Sequence, residues 1–450
     1  MSTLVARTIQ TPDNSPVSFP YGIMIGKSTG AGTVNNIGTP GQQGFGVGIA
    51  PSLPTSMAKL YGTEDPASDT YGNYQYSDGS IMCYVPVACY KYGTGANGLP
   101  LNKPDVKSFS YFENSLTIAN AAGYALHRSF YNGGSIRPGY FVDKYLVSKN
   151  GSIASSIKNG VVLTSATRGG LANSPFSSIG QADAFYGAIG VARTRGAAFH
   201  PKTIFQTAFL ALLANAHGSA ATGQTYCAWY DGTGVVNFPK GNNNNALGDV
   251  NDGSIAYVWD GNATHAGCGK TGSANFFAKT THNGQNSGVA DINGLVWEIT
   301  PFGLVSNGTN YFLLNTSVDV NTITSGNTLA TDAWGATGLA AMYTDIGATY
   351  GALTASSTNK VFGSASQVLS EATSGTAWAM AGAGVPLATG VGGSNQFGND
   401  YFLDYRPNEM CPLAGGNWDA SSLAGVWALY CGLVRGGSSD SGGCRSALYL

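Results

Sequence analysis

Residues 201–216 read PKTIFQTAFLALLANA, the strongest helical run in the chain. Pro201 suits a first helical position, where its missing N–H removes no bond. The run is apolar nearly all round, so it predicts a core helix that other chain must enclose. It is too short to span a bilayer and is interrupted by Gln206. Weaker helices are expected near 115–128 (SLTIANAAGYALHR) and near 180–194 (GQADAFYGAIGVAR), the latter diluted by glycine. The cover must come from strands and turns. FGVGIAPSL, YGNYQYSDGS and IMCYVPVACYKYG read as strands within 44–100, GYFVDKYLVS as one at 139–148, and IAYVW and GLVWEIT as short strands within 218–300. The span 300–410 reads as strand and loop, and the last stretch as short strands between Gly-Ser turns. No repeat of solenoid or propeller length occurs. Buried helices in a loop-rich β frame make the expected class α+β.

The 64 glycines and the 10% share of charged residues fit that expectation, since such a chain has few ion pairs and many turns. A 43% hydrophobic content argues against disorder. The net charge is −2 without a basic block, which excludes the usual footprint of nucleic-acid or acidic-membrane binding. MSTLVARTIQTPDNS carries no apolar signal core. The seven cysteines (83, 89, 227, 268, 411, 431, 444) form no CxxC pair, so they read as reduced thiols and not as a zinc or redox site.

Several motif matches fail on inspection. GTGANG (93–98) fits GxGxxG, but Pro100 and Pro104 forbid the helix that would hold a pyrophosphate. GKSTG (26–30) fits GxSxG without a following helix. In GDVNDG (248–253), Asp249, Asn251 and Asp252 are hard oxygen donors, but the glycine is misplaced for an EF-hand. A polar turn is the better reading, and a structural calcium ion is the one cofactor left open. The five histidines (127, 200, 217, 265, 282) are scattered and read as structural or exposed.

Together, other stretches carry a resemblance. DINGLVWEI (291–299), IMCYVPVACYKYG (81–93), GYFVDKYLVS (139–148), the helix 201–216, and GGNW leading to Gly443-Cys444-Arg445 resemble, in order, the signatures of formylglycine-generating-enzyme-like domains, a variant of the C-type lectin fold. The GG-x-W to G-x-R spacing also resembles that of phage tropism determinants, diversified receptor-binding proteins of phage tail-fibre tips. The resemblance covers about residues 75–450. It implies a loop-rich C-type lectin fold of the formylglycine-generating-enzyme-like type, with short antiparallel strands and two to three helices. Residues 1–43 would be an extended or β arm for virion attachment or trimerisation, and 44–450 the receptor-binding domain.

Two departures limit what carries over. No cysteine lies between Asp419 and Tyr430, where the oxidases hold a reactive pair, so no enzyme activity is expected. Asn417-Trp418-Asp419 and Arg406-Pro407-Asn408-Glu409 do not match the calcium-dependent sugar motifs of C-type lectins. The resemblance thus implies a homotrimeric virion adhesin, assembled in the host cytoplasm, whose partners are a host cell-surface protein or glycan and other virion proteins, with no nucleic acid and no membrane insertion. The alternatives are a tail or capsid decoration protein that binds no receptor and, more remotely, an oxidase.

Within 415–450, Gly415 and Gly416 are expected to allow close approach, Trp418 and Trp427 to anchor, and Arg445, Ala447, Leu448 and Leu450 to dock the last strand. Asn417, Asp419, Ser421 and Leu423 alternate, so an extended chain would show all four on one face. By the resemblance, Tyr430, Gly432, Gly437, Ser439, Ser441 and Gly442 are displayed as well. Asn, Asp, Ser, Tyr, Gly and Leu are all reachable from an AAC codon by changes at adenine, which is consistent with the diversification known in that family.

Overall fold

The computed structural model describes residues 32–232, 237–324, 341–363, 366–390 and 398–450. Among them the fold is mixed α+β, with short strands and long connections around four α-helices: Leu116–Ala121 (α1), Gly187–Arg193 (α2), Ile204–Ala220 (α3) and Gly375–Gly382 (α4). The GKSTG motif lies outside the described residues. None of the described helices is long and apolar enough to cross a membrane.

α3 is the enclosed helix the sequence predicts, with a different start. Thr203 Oγ1 accepts from the Gln206 N–H at 3.1 Å, and Gln206 Oε1 accepts from the Thr203 N–H at 3.0 Å. This capping box begins the helix at Ile204. Pro201 instead pairs with Ser446 in the short strand His200–Pro201. Along α3 only Thr207, Ser219 and Ala220 escape full burial. The Phe209 ring packs on Phe130 at 4.9 Å and on His127 at 4.7 Å.

Other elements depart from expectation. The helix near 115–128 shrinks to α1, because the left-handed Gly123 ends it and Ala125–Leu126 turns into a strand. α4 falls within a span read as strand and loop. FGVGIAPSL and IAYVW form no strands, although Phe45, Val47 and Ile49 are buried and Trp259 bridges Gly269. The boundary at residue 43 also fails for residues 32–43. Ile37 is fully buried in the main core, its N–H reaches Ser108 Oγ at 3.0 Å, and Val34 bridges Ile49.

Two six-stranded sheets organise the remainder. The first runs Met57–Lys59, Asn73–Tyr76, Ile81–Pro86, Gly139–Asp143, Ser446–Tyr449, His200–Pro201, antiparallel throughout. The second runs Asn359–Val361, Tyr401–Leu403, Leu429–Tyr430, Leu413–Ala414, Trp297–Ile299, Gly442–Gly443. The C-terminal segment belongs to both. It lies beside Trp297 at Gly442, then enters the first sheet between Gly139–Asp143 and His200–Pro201.

Arg445 sits at that crossing, fully buried. Its Nε donates to Glu298 Oε1 at 3.0 Å, Lys202 pairs with Glu298 Oε2 at 2.8 Å, and its Nη1 donates to the Lys144 carbonyl at 2.9 Å. Buried charges persist when paired and hydrogen-bonded in this way. All seven cysteines are buried and unpaired, as the reduced-thiol reading expects.

Candidate functional site

The site begins at a turn that only glycine allows. Gly415 and Gly416 have φ of +90° and +89°, and a Cβ on Gly416 would stand 2.6 Å from that of Ala424. The turn drives Trp418 into a core with Leu295 and Val296, its ring 5.7 Å from the Arg168 guanidinium and 5.0 Å from the His265 ring. Trp427 is buried in the main core.

The residues between the anchors are not extended. Ser421–Leu423 is a 3-10 turn, Ser421 has a left-handed φ of 55°, and its N–H donates to the Asn243 carbonyl at 2.7 Å. The alternation of Asn417, Asp419, Ser421 and Leu423 therefore does not put them on one strand face. Asp419, Ser421 and Leu423 are exposed, whereas Asn417 is buried. Gly442 is also buried. It sits in the second sheet and its carbonyl accepts from the Ser165 N–H at 2.8 Å, so it is scaffold and not displayed. Gly432 and Gly437 are half-buried. A Cβ on Gly432 would meet Leu403 at 2.7 Å, and the Gly437 carbonyl accepts from the Phe185 N–H at 2.8 Å.

Asn417, Leu423, Tyr430, Ser439 and Ser441 nevertheless converge. They line one open cleft of about 350 Å³ on the second sheet. Strand Leu429–Tyr430 positions Tyr430, while the Ser439 and Ser441 hydroxyls bond each other at 2.8 Å. Ser439 is fixed from below, its N–H donating to Ser165 Oγ at 2.9 Å. Asp419, Ser421, Gly432, Gly437 and Gly442 do not line the cleft.

Trp297, Asn359 and Tyr401 line the cleft too, with Leu413, Ala420 and Leu433, and none of the six is a site residue read from the sequence. The Tyr401 and Tyr430 rings stack at 5.9 Å and 21°, and Trp297 stands 5.9 Å from Tyr430 and 6.2 Å from Tyr401. The Tyr401 hydroxyl donates to Asn359 Oδ1 at 2.9 Å. Burial, helped by Tyr430, pushes its pKa up to about 12, so it stays a donor at neutral pH. Sequence offered one hint, since Trp297 lies in the GLVWEIT strand. The pairing that sets it beside Ser441 spans the chain and has no local signature.

The other candidates resolve into structure. Asp249 accepts from the Gly241 N–H at 2.9 Å and the Asn251 N–H at 2.8 Å, and Asp252 pairs with Lys279 at 2.8 Å, so both carboxylates of the GDVNDG turn are engaged by the protein's own groups. Among the described residues no group of three or more His, Cys, Asp or Glu side chains is disposed to hold a metal ion. GTGANG is the loop between strands Ala88–Tyr92 and Pro104–Ser108. His127, His200, His217 and His282 are buried, and burial lowers the pKa of each. Burial raises the Cys411 thiol to about 12 and Cys431 higher still, so neither is a ready nucleophile.

No protein-family profile matches the chain, and no curated protein does. Among solved structures, a major tropism determinant, U1 variant, aligns at 11% identity over 83% of this chain and 66% of its own length, just under two thirds, with a TM-score of 0.29, a likeness too slight to establish a shared fold.

Proposed function

We propose that this chain is a phage receptor-binding protein, an adhesin of the virion. In this reading a C-type-lectin-like domain of the formylglycine-generating-enzyme-like type presents 415–450 to the host surface, and the protein is a homotrimer without enzyme activity at a tail fibre or tail tip. The observation that carries the reading is the convergence of Asn417, Leu423, Tyr430, Ser439 and Ser441, picked out by sequence, on one open cleft. Aromatic anchors beside small polar residues on a rigid frame are the makings of a recognition surface. Buried glycine, tryptophan and arginine hold that frame, which leaves the displayed positions free to vary. A reverse-transcriptase gene and a near-copy of the 417–442 coding segment beside the gene would support diversification.

The test is virion adsorption with Tyr430→Ala. We expect at least a tenfold loss, equal to about 1.4 kcal/mol, from a protein that still folds. Undiminished adsorption with the cleft altered would return the chain to the decoration reading.

A further inference from the structure

We propose that the cleft on the second sheet takes one neutral pyranose unit of a host glycan, without calcium. The inference rests on the adhesin reading and deepens it by naming the ligand chemistry. Three observations carry it.

First, none of the residues lining the cleft is charged. A charged ligand group would lose its water there without a counter-ion, which is costly. Second, the aromatic side chains are not sealed. Trp297 and Tyr430 remain half-exposed at the cleft while Tyr401 is buried behind them. The faces of such rings carry partial negative charge and attract weakly positive C–H groups. One face of a pyranose is a patch of C–H bonds, whereas its rim is hydroxyl.

Third, Asn417 lines the cleft at 8% exposure, and its side-chain amide has no hydrogen-bond partner among the described residues. An amide offers two donors and a two-lone-pair acceptor. The amide faces the cleft, so an occupant must replace the water that meets it, and adjacent hydroxyls can, because each both donates and accepts. The Ser441 hydroxyl and the Asn359 amide stand on the same wall set. An apolar peptide side chain would satisfy the rings but cover the Asn417 amide without pairing it. The sugar meets both requirements at once. None of the lining residues is an acid, so calcium has no part in the contact.

The experiment titrates the full chain, in EDTA, with the methyl glycosides of glucose, galactose, mannose and N-acetylglucosamine, and with N-acetylneuraminic acid. Ligand-observed NMR and tryptophan fluorescence give the readouts. We expect at least one neutral glycoside to bind with a Kd on the order of 1 mM or tighter, and the acidic sugar to bind at least about tenfold more weakly. Asn417→Ala should weaken the neutral sugar at least about fivefold with an unchanged melting curve. If that variant melts early, Tyr430→Leu keeps bulk at the cleft without a ring and should show the same loss. No saturable binding by any neutral glycoside to about 10 mM, binding that needs calcium, or affinity untouched in Tyr430→Leu would overturn the proposal.

Attachment to cells separates the two readings. Attachment that survives periodate oxidation of cell-surface glycans would remove the sugar and keep the adhesin. A glycoside bound at the cleft by a protein that attaches to no cells would keep the sugar site and remove the adhesin.

Discussion

In the first sheet every residue of Gly139–Asp143 is buried, and the strand has partners on both sides, one of them the last strand of the chain. In the second sheet no residue of the edge strand Asn359–Val361 is fully buried, and Trp297 and Tyr430 stay half-open. The contrast extends to charge. Where the two sheets meet, Glu298 of strand Trp297–Ile299 lies between Arg445 and Lys202. Burial alone would raise its pKa, but the two cations more than offset that and hold it below the ordinary range. Under the second sheet, Asp400 accepts from the Trp427 N–H at 2.9 Å and pairs with no cation among the described residues, and burial pushes its pKa well up. One buried carboxylate has its charge matched by two cations, whereas the other has none among the described residues. Stability should therefore depend most on the first sheet and recognition on the second, although one C-terminal segment serves both.

The most direct way to break that division is Arg445→Ala. It leaves buried Glu298 with Lys202 as its remaining cation, and removing one partner of a buried pair costs up to about 3–5 kcal/mol. Against a usual stability of roughly 5–15 kcal/mol, urea unfolding should register a large drop. The pH sign follows from Glu298. A carboxyl with a depressed folded pKa contributes stability above its unfolded value, about 4.3, and loses it as pH falls. Wild type should lose this contribution in acid, and the variant, which keeps only Lys202, should have less of it to lose. An Arg445→Ala protein as stable as wild type would end the claim that the crossing pins the sheets.

Next in size are two core truncations. Trp418→Ala should cost about 3–5 kcal/mol and Ile37→Ala about 2–5 kcal/mol, by transfer loss and cavity together. Ile37 sharpens the comparison, because it asks whether residues 32–43 belong to the core. A melting curve unmoved by Ile37→Ala would restore the boundary at residue 43.

That boundary marks what local sequence can and cannot tell. α3 was legible because an all-round apolar run has one reading, and its true start was present as Thr203-x-x-Gln206. The anchoring of Trp418, Trp427 and Arg445 was legible from the motifs around them. The shape of 417–423 was not, because it depends on a carbonyl from Asn243, far away in sequence. Gly442 reads as a displayed residue because nothing near it in sequence announces its pairing with Trp297. Trp297, Asn359 and Tyr401 reach the cleft by such long-range pairings, so only part of its lining is legible in the sequence.

A smaller effect is expected from Asp400→Asn. The amide keeps an acceptor for the Trp427 N–H but cannot ionise. A carboxyl whose folded pKa lies above its unfolded value, about 3.9, contributes stability in acid that is lost as pH rises toward the folded value. Wild type and variant should melt together in acid, and the variant should melt higher as pH approaches neutral. A gap that instead closes with rising pH would show that Asp400 is ionised and paired in the folded protein, contrary to the contrast with Glu298.

The smallest effects separate the floor of the cleft from its rim. Tyr430 stacks on Tyr401 and packs near Trp297, and aromatic pairs are worth about 0.5–1.5 kcal/mol beyond their buried area. Tyr430→Ala should therefore cost measurable stability, more than a surface change would, while leaving the protein folded. Asp419 is exposed and does not line the cleft. Asp419→Ala should shift stability by no more than about 0.5 kcal/mol. In binding, energy concentrates in a few central, well-packed residues, with near-neutral contacts around them. Asp419→Ala should thus alter adsorption by less than about twofold, a fraction of the 1.4 kcal/mol that a tenfold change represents, whereas Tyr430→Ala should cost tenfold or more. Measuring melting and adsorption on the same two preparations decides the matter. If Asp419→Ala lost as much adsorption as Tyr430→Ala, the receptor would be touching the 3-10 turn at 421–423 and its approach, and the recognition surface would lie over the rim and not in the cleft.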